Sequence, residues 1–280
     1  MKKKLVIVMA ALLMLSTIFT NQKYTEVKAA SEDVVDTVLM KKPPYKYYKS
    51  DKVSTKKNQA IKLKLKSSKS NEIVDKNFPS MEDLGEVPES VSNTWNDLTI
   101  TKSFSDSTYA YAIYGGDYSE GYILNIFDKK TEKMVYSLDF SKYRYSPKYI
   151  KADKDYIQQK INWAAIKNNI LYVSHSHTTY AKSSKNMNAY ITAIDLSDMS
   201  ILWRTKSLVS NSANFVIVND VIISGYGFTD EPDYLYQIDM YTGKVLSKTA
   251  LKTAASYIVK KGNALYVSTY NTNYIFSITE

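Results

Sequence analysis

Cysteine is absent from the 280 residues. Its absence excludes disulfides, thiolate metal sites and a cysteine nucleophile, so stability must come from packing. Glycine is scarce, at 8 residues, and none of them belongs to a phosphate-binding loop or a nucleophile elbow. Histidine occurs only at His175 and His177, which excludes an HExxH helix. On a strand the two would face one side, as a metal needs. No third ligand lies in evident range, so the plainer reading is a pair of ordinary histidines. Long apolar runs are missing as well. Leu5 to Thr20 has 16 residues, broken by Ser16 and Thr17, and is short for a stable membrane span. From Asn93 onward no stretch keeps a helical period long enough to read as a helix.

What is present begins with a leader. Lys2, Lys3 and Lys4 precede the apolar run, and Val27-Lys28-Ala29-Ala30 is a small-residue cleavage site, so residues 1–30 read as a signal peptide. The formal net charge of +9 is a poor guide to partners, because the leader carries nearly half of it. Nucleic acid is not an expected partner. Residues 31–92 read as a flexible basic linker. Between Lys41 and Lys69 stand eleven Lys against one acid, Asp51, and a like-charge excess of low hydrophobicity favours a mobile segment. Within it, Ile61 to Leu65 alternates apolar with Lys, as an edge strand would. A sharper reading makes the Lys run a basic strip for anionic polymers or lipid headgroups outside the cell.

Residues 93–280 read as an all-β repeat domain. ILNIFDKKTEKMVYSL at 123–138, YITAIDLSDMSILWRT at 190–205 and LYQIDMYTGKVLSKT at 235–249 share one hairpin shape, and NYIFSITE at 273–280 begins a fourth copy. Four strands per unit are predicted, the last unit lacking its outer strand. Asp128, Asp195 and Asp239 recur at the end of the third strand. They are read as acceptors for turn N–H groups rather than as catalytic carboxylates, while Tyr136 and Trp203 on the fourth strand are expected to pack between units. Tyr is abundant, 25 residues, and suits strands and exposed β surfaces.

Ala193-x-Asp195 with Trp203 eight residues on resembles the repeat of the quinoprotein-like propellers (pyrroloquinoline-quinone-type repeats). The 235 copy keeps Asp239, Thr242 and Gly243; the 123 copy keeps Asp128 and Thr131. The resemblance implies a β-propeller-like array of about four four-stranded blades, in degenerate form. Such units bury both faces only by stacking. The missing strand could come from Ile61 to Leu65 or from Val87 to Asn93. An open array, or self-association of two chains through the incomplete last blade, are the rivals.

The resemblance invites a quinone-dependent dehydrogenase, but the chain is too short for six to eight blades and lacks the vicinal cysteines found in many of those enzymes. The reading is therefore a non-catalytic binding or assembly module without cofactor or metal, extracytoplasmic, for an unidentified protein or cell-wall polymer. A carbohydrate-binding or glycan-processing propeller is the alternative. Candidate surface residues are His175, His177, Tyr180, Tyr226 and Tyr270. The insertions Ser141 to Gln159 and Ser176 to Asn188 mark the face on which such arrays bind.

Overall fold

The computed structural model describes residues 35–279, apart from 57, 74, 82–86, 118–119, 148–149 and 178–182. The leader, 1–30, lies outside the described residues. Three strands precede the repeats: β1 (Val38–Leu39), β2 (Tyr48–Lys49) and β3 (Lys62–Ser70); β4 (Thr94–Trp95) opens the repeat region. Blade 1 then follows as β5 (Leu98–Ser105), β6 (Tyr109–Gly115), β7 (Ile123–Asp128) and β8 (Met134–Asp139). Blade 2 is β9 (Lys160–Lys167), β10 (Ile170–Ser176), β11 (Tyr190–Asp195) and β12 (Ser200–Arg204). Blade 3 is β13 (Val216–Val218), β14 (Val221–Tyr226), β15 (Tyr234–Asp239) and β16 (Val245–Ala250). Blade 4 is β17 (Ala255–Lys261), β18 (Ala264–Thr269) and β19 (Thr272–Thr279). Each blade is an antiparallel meander, and the array is β-propeller-like.

The repeat reaches down to backbone detail. In blades 1, 2 and 3 the register between third and fourth strands shifts at the same place, between the second and first residues before Asp128, Asp195 and Asp239. Four residues after each Asp the backbone turns left-handed, at Glu132, Met199 and Gly243. The turns between first and second strands also use left-handed residues, Asn168 and Asn169, Asn219, and Gly262. Asn and Gly tolerate that region best, which is why Asn precedes these strands.

Blades meet through aromatic contacts. Phe104 of blade 1 stacks on Trp163 of blade 2 at 3.5 Å between ring centres, with Tyr111 behind it at 5.0 Å. The Tyr111 hydroxyl donates to Asp106 and accepts from the Ile166 amide. Asn214, just ahead of β13, bonds both ways with the Ile258 backbone of blade 4. The first strands converge on Lys102, whose amine donates to the carbonyls of Asn162 in blade 2 and of Ala213 beside blade 3. Burial lowers the pKa of this amine to about 8.

The expected boundary between a linker, 31–92, and a repeat domain, 93–280, is not a structural one: Val35–Glu280 form one unit. The Lys-rich segment is a belt that visits the blades in order. β1 adds a parallel strand to β8 of blade 1, and β2 adds an antiparallel strand to β12 of blade 2. Beside blade 3, Asn58 donates to the Asp220 carbonyl, and Ile61 exchanges hydrogen bonds with the Gln237 side chain. β3 then pairs along β19 and completes blade 4. The missing strand of the last blade is thus supplied within the chain by a segment that includes Leu63 and Leu65 of the expected Ile61 to Leu65 candidate. This leaves the edge of β19 covered rather than open to a second chain.

Apolar plugs explain why a lysine-rich segment orders in this way. Met40 and Val53 are buried in the main core, and Ile61 and Leu63 pack on the core of blades 3 and 4. The lysines of β3 remain exposed, which shields the edge from further pairing. Past β3, Phe78 meets the Tyr266 ring edge-on and Pro79 accepts from the Tyr257 hydroxyl, both on blade 4. Val87 and Val91 cover Ala112, Tyr114 and Ile123 of blade 1. This stretch thus lies against both the last blade and the first.

Candidate functional site

The belt between β1 and β2 stands away from the blades because Pro43-Pro44 cannot donate to a ladder. It is held there mainly through its own carbonyls, and by one belt hydroxyl that donates outward. Tyr143 donates to the Lys41 carbonyl at 3.2 Å, Tyr190 to that of Tyr45 at 3.2 Å, Tyr47 to that of Thr242 at 2.9 Å, and Arg204 to that of Lys46. Lys42 reaches back to the Arg144 carbonyl at 2.7 Å.

The two insertions meet beside this loop. Ser146 donates to the Ser183 carbonyl at 2.9 Å, the Ser183 amide donates to Asp153 at 2.9 Å, and Tyr145, Met187 and Tyr190 form a small buried cluster. Between belt and blade 2 lies a groove of about 1050 Å³, lined by Lys41, Lys42, Tyr45, Tyr48, Lys49 and Tyr145 and by one carboxylate, Asp51. Met199, Ile201 and Lys52 also line it, and Lys52 forms an ion pair with Asp198. A second cavity of about 470 Å³, with Lys46, Lys185 and Lys206 in its wall, flanks the belt at Tyr45–Tyr47.

The charges here are graded by surroundings. Burial lowers the Lys42 pKa, whereas the Asp198 hydrogen bond raises that of Lys52. Beneath the belt, Arg204 is fully buried, with its guanidinium 3.9 Å from the Tyr190 ring centre and 5.0 Å from that of Tyr145. His175 is fully buried beside them, 5.1 Å from Tyr143 between ring centres, and shares a hydrogen bond of 2.8 Å with Thr192. Desolvation, with the Arg204 charge added, pushes its pKa down to about 3. The groove therefore offers exposed ammonium groups, aromatic faces and a buried cation below, a set that binds anions and stacks planar or sugar rings.

The surface expected from His175, His177, Tyr180, Tyr226 and Tyr270 does not assemble. His175, His177 and Tyr226 are buried, Tyr270 stands exposed at 83% on blade 4, and Tyr180 lies outside the described residues. Strand alternation alone could not tell which tyrosines face a neighbouring blade. No group of three or more His, Asp or Glu gathers as a metal site among the described residues. Asp128, Asp195 and Asp239 each accept from their own turn: from Thr131 amide and hydroxyl, from Ser197 amide and hydroxyl, and from the Tyr241 amide and Thr242 hydroxyl. Tyr136 is half-buried on β8, and Trp203 is buried against the Gly243 turn. Nothing local in the sequence singles out Tyr145 and Arg204, since only the folded belt brings Lys42 to the Tyr145 ring that Arg204 also faces.

No family model and no curated protein sequence matches this chain. Among solved structures it is similar to BamB from Moraxella catarrhalis, at 16% identity over 65% of this chain and 46% of that one, with TM-score 0.40. The Saccharomyces cerevisiae Sqt1 structure aligns at 9% identity over 62% and 42%, with TM-score 0.41. The computationally designed Ika4 protein aligns at 11% identity over 69% and 100%, with TM-score 0.40. The chain thus aligns with less than half the length of BamB and of Sqt1. The fold assignment rests on its own sheet layout.

Proposed function

We propose that this chain is an exported, non-catalytic β-propeller-like module, a degenerate relative of the quinoprotein-like propellers, that binds an anionic cell-wall polymer at the envelope. The observation that carries the reading is the groove beside the belt, where Lys41, Lys42 and Lys49 line a volume of about 1050 Å³ together with Tyr45, Tyr48 and Tyr145. A repeating polyanion gains from several ammonium groups spaced along one channel, and the tyrosine rings supply stacking for its sugar or polyol units. Export is read from residues 1–30, and an extracellular chain without cysteine fits a scaffold stabilised by packing and by its belt.

The test is retention of residues 31–280 on purified cell walls across a salt series, beside a variant with Lys41, Lys42 and Lys49 changed to Gln. Binding that salt removes, and that the variant lacks, supports the reading. Equal retention of both proteins at every salt concentration sinks it. The tyrosines favour a second reading, recognition of neutral glycan. Binding insensitive to salt but competed by neutral wall sugars would favour it.

A further inference from the structure

We infer that Arg204 is the anchor of a phosphate-binding site beneath the belt, reached where the segment Pro43–Tyr47 lies over it; this rests on reading the groove as an anion site. Arg204 is fully buried, yet no carboxylate pairs with it among the described residues, and its Nε and Nη1 atoms have no protein partner. Only Nη2 is engaged, by the Lys46 carbonyl of the belt. An uncompensated buried charge is strongly unfavourable unless something neutralises it. The neighbours do not. Tyr190 and Tyr145 set uncharged rings and hydroxyls against it, and His175 is held neutral with its Nδ1 also unpartnered.

The positions around Arg204 specify the missing charge. Lys42 lies 5.4 Å from the centre of the Tyr145 ring that Arg204 also faces. Lys46, which supplies the carbonyl, lines the second cavity together with Lys185 and Lys206. Lysines therefore line both cavities that flank the belt near Arg204. Each bidentate edge of a guanidinium joins Nη2 to Nε or to Nη1, so two oxygens of one tetrahedral anion can pair with Nη2 and one of the free donors, which a point charge does not match. The ligand group is a phosphate, free or within a polymer backbone, that takes the Nε–Nη2 edge as the Lys46 carbonyl gives way.

The experiment compares thermal unfolding of residues 31–280 in inorganic phosphate, in a glycerol phosphodiester and in chloride, at one ionic strength. An anion that binds the folded state alone raises the midpoint with its concentration. The expected result is a rise of several degrees in phosphate or diester over chloride, lost in Arg204→Met and reduced in Arg204→Lys, which keeps the charge without the fork. If Arg204→Met does not fold, Arg204→Lys decides. A larger response to the diester assigns the site to a polymer backbone, and a larger response to inorganic phosphate assigns it to the free ion. No rise in the unchanged protein overturns the inference, as does a rise that Arg204→Lys retains in full. Wall retention of the groove-lysine variant is read separately, so failure of the envelope reading and failure of this site are distinct results.

Discussion

Trp203 on the outer strand of blade 2 stands on Gly243 in the turn of blade 3. A Cβ at Gly243 would come within 2.4 Å of Trp203 Cε3, and the indole N–H donates to the Met240 carbonyl of the same turn at 3.2 Å. The glycine has φ +71°. Two independent reasons therefore exclude a side chain here, the left-handed backbone and the ring above it. Gly243→Ala is expected to cost about 2 kcal/mol or more, the backbone alone accounting for about 1–2. In a Trp203→Leu background the penalty should shrink toward the backbone share. A double-mutant cycle by urea denaturation checks this, and equal penalties in both backgrounds would refute the contact.

The equivalent turn position in blade 1 is Glu132, exposed and left-handed with φ 55°. A residue with a Cβ is strained there, and this one makes no burial contact that would be lost. Glu132→Gly is expected to stabilise the protein by about 1 kcal/mol. Met199 occupies the same place in blade 2 but packs on the main core, so Met199→Gly should gain less or lose. Denaturation midpoints of the two variants provide the comparison.

These turns show why the repeat was legible and the site was not. Strand alternation, the recurring Asp and the Asn-led turns are local signals, and each of the fifteen predicted repeat strands corresponds to one of β5–β19. The belt obeys no local rule. Its strands β1 and β2 are two residues long, shorter than any period can register, and its lysines resemble those of a solvated tail. What orders it is Met40, Val53 and Leu63 reaching cores made by residues far along the chain. The same holds for Tyr143, Tyr145 and Tyr190. Their sequence context is ordinary, and their role depends on hydroxyls and rings meeting belt carbonyls about a hundred or more positions away.

His175 makes stability depend on pH in a defined direction. Its folded pKa of about 3 lies below the ordinary 6.5, so the unfolded chain takes up the proton first. The stabilisation is fully present above about pH 6.5 and is lost as pH falls toward 3. The charged group facing it is Arg204, and the rings of Tyr143 and Tyr190 are neutral throughout this window. Between about pH 7 and 5, ahead of most carboxylate titration, the loss should be about 2 kcal/mol. His175→Gln keeps a partner for Thr192 and should flatten that part of the profile. An unchanged slope would mean that the imidazole is not held neutral.

The belt makes the N-terminal segment part of the folding unit. β3 pairs with β19 from Lys62↔Thr279 to Ser70↔Thr272, and without it the backbone edge of β19 is open along its length. A chain beginning at residue 71 also loses Met40 and Val53 from the main core. Open edges seek partners, so this shortened chain is expected to form oligomers or aggregates, not a stable monomer. Light scattering after size-exclusion chromatography, against residues 31–280, reads the difference. Addition of a peptide spanning 58–71 should partly restore a monomer by refilling the edge, since β3 carries its own apolar plug at Leu63. A well-behaved monomer from residue 71 onward, with the same unfolding midpoint as the longer chain, would show that the belt decorates the blades without completing them.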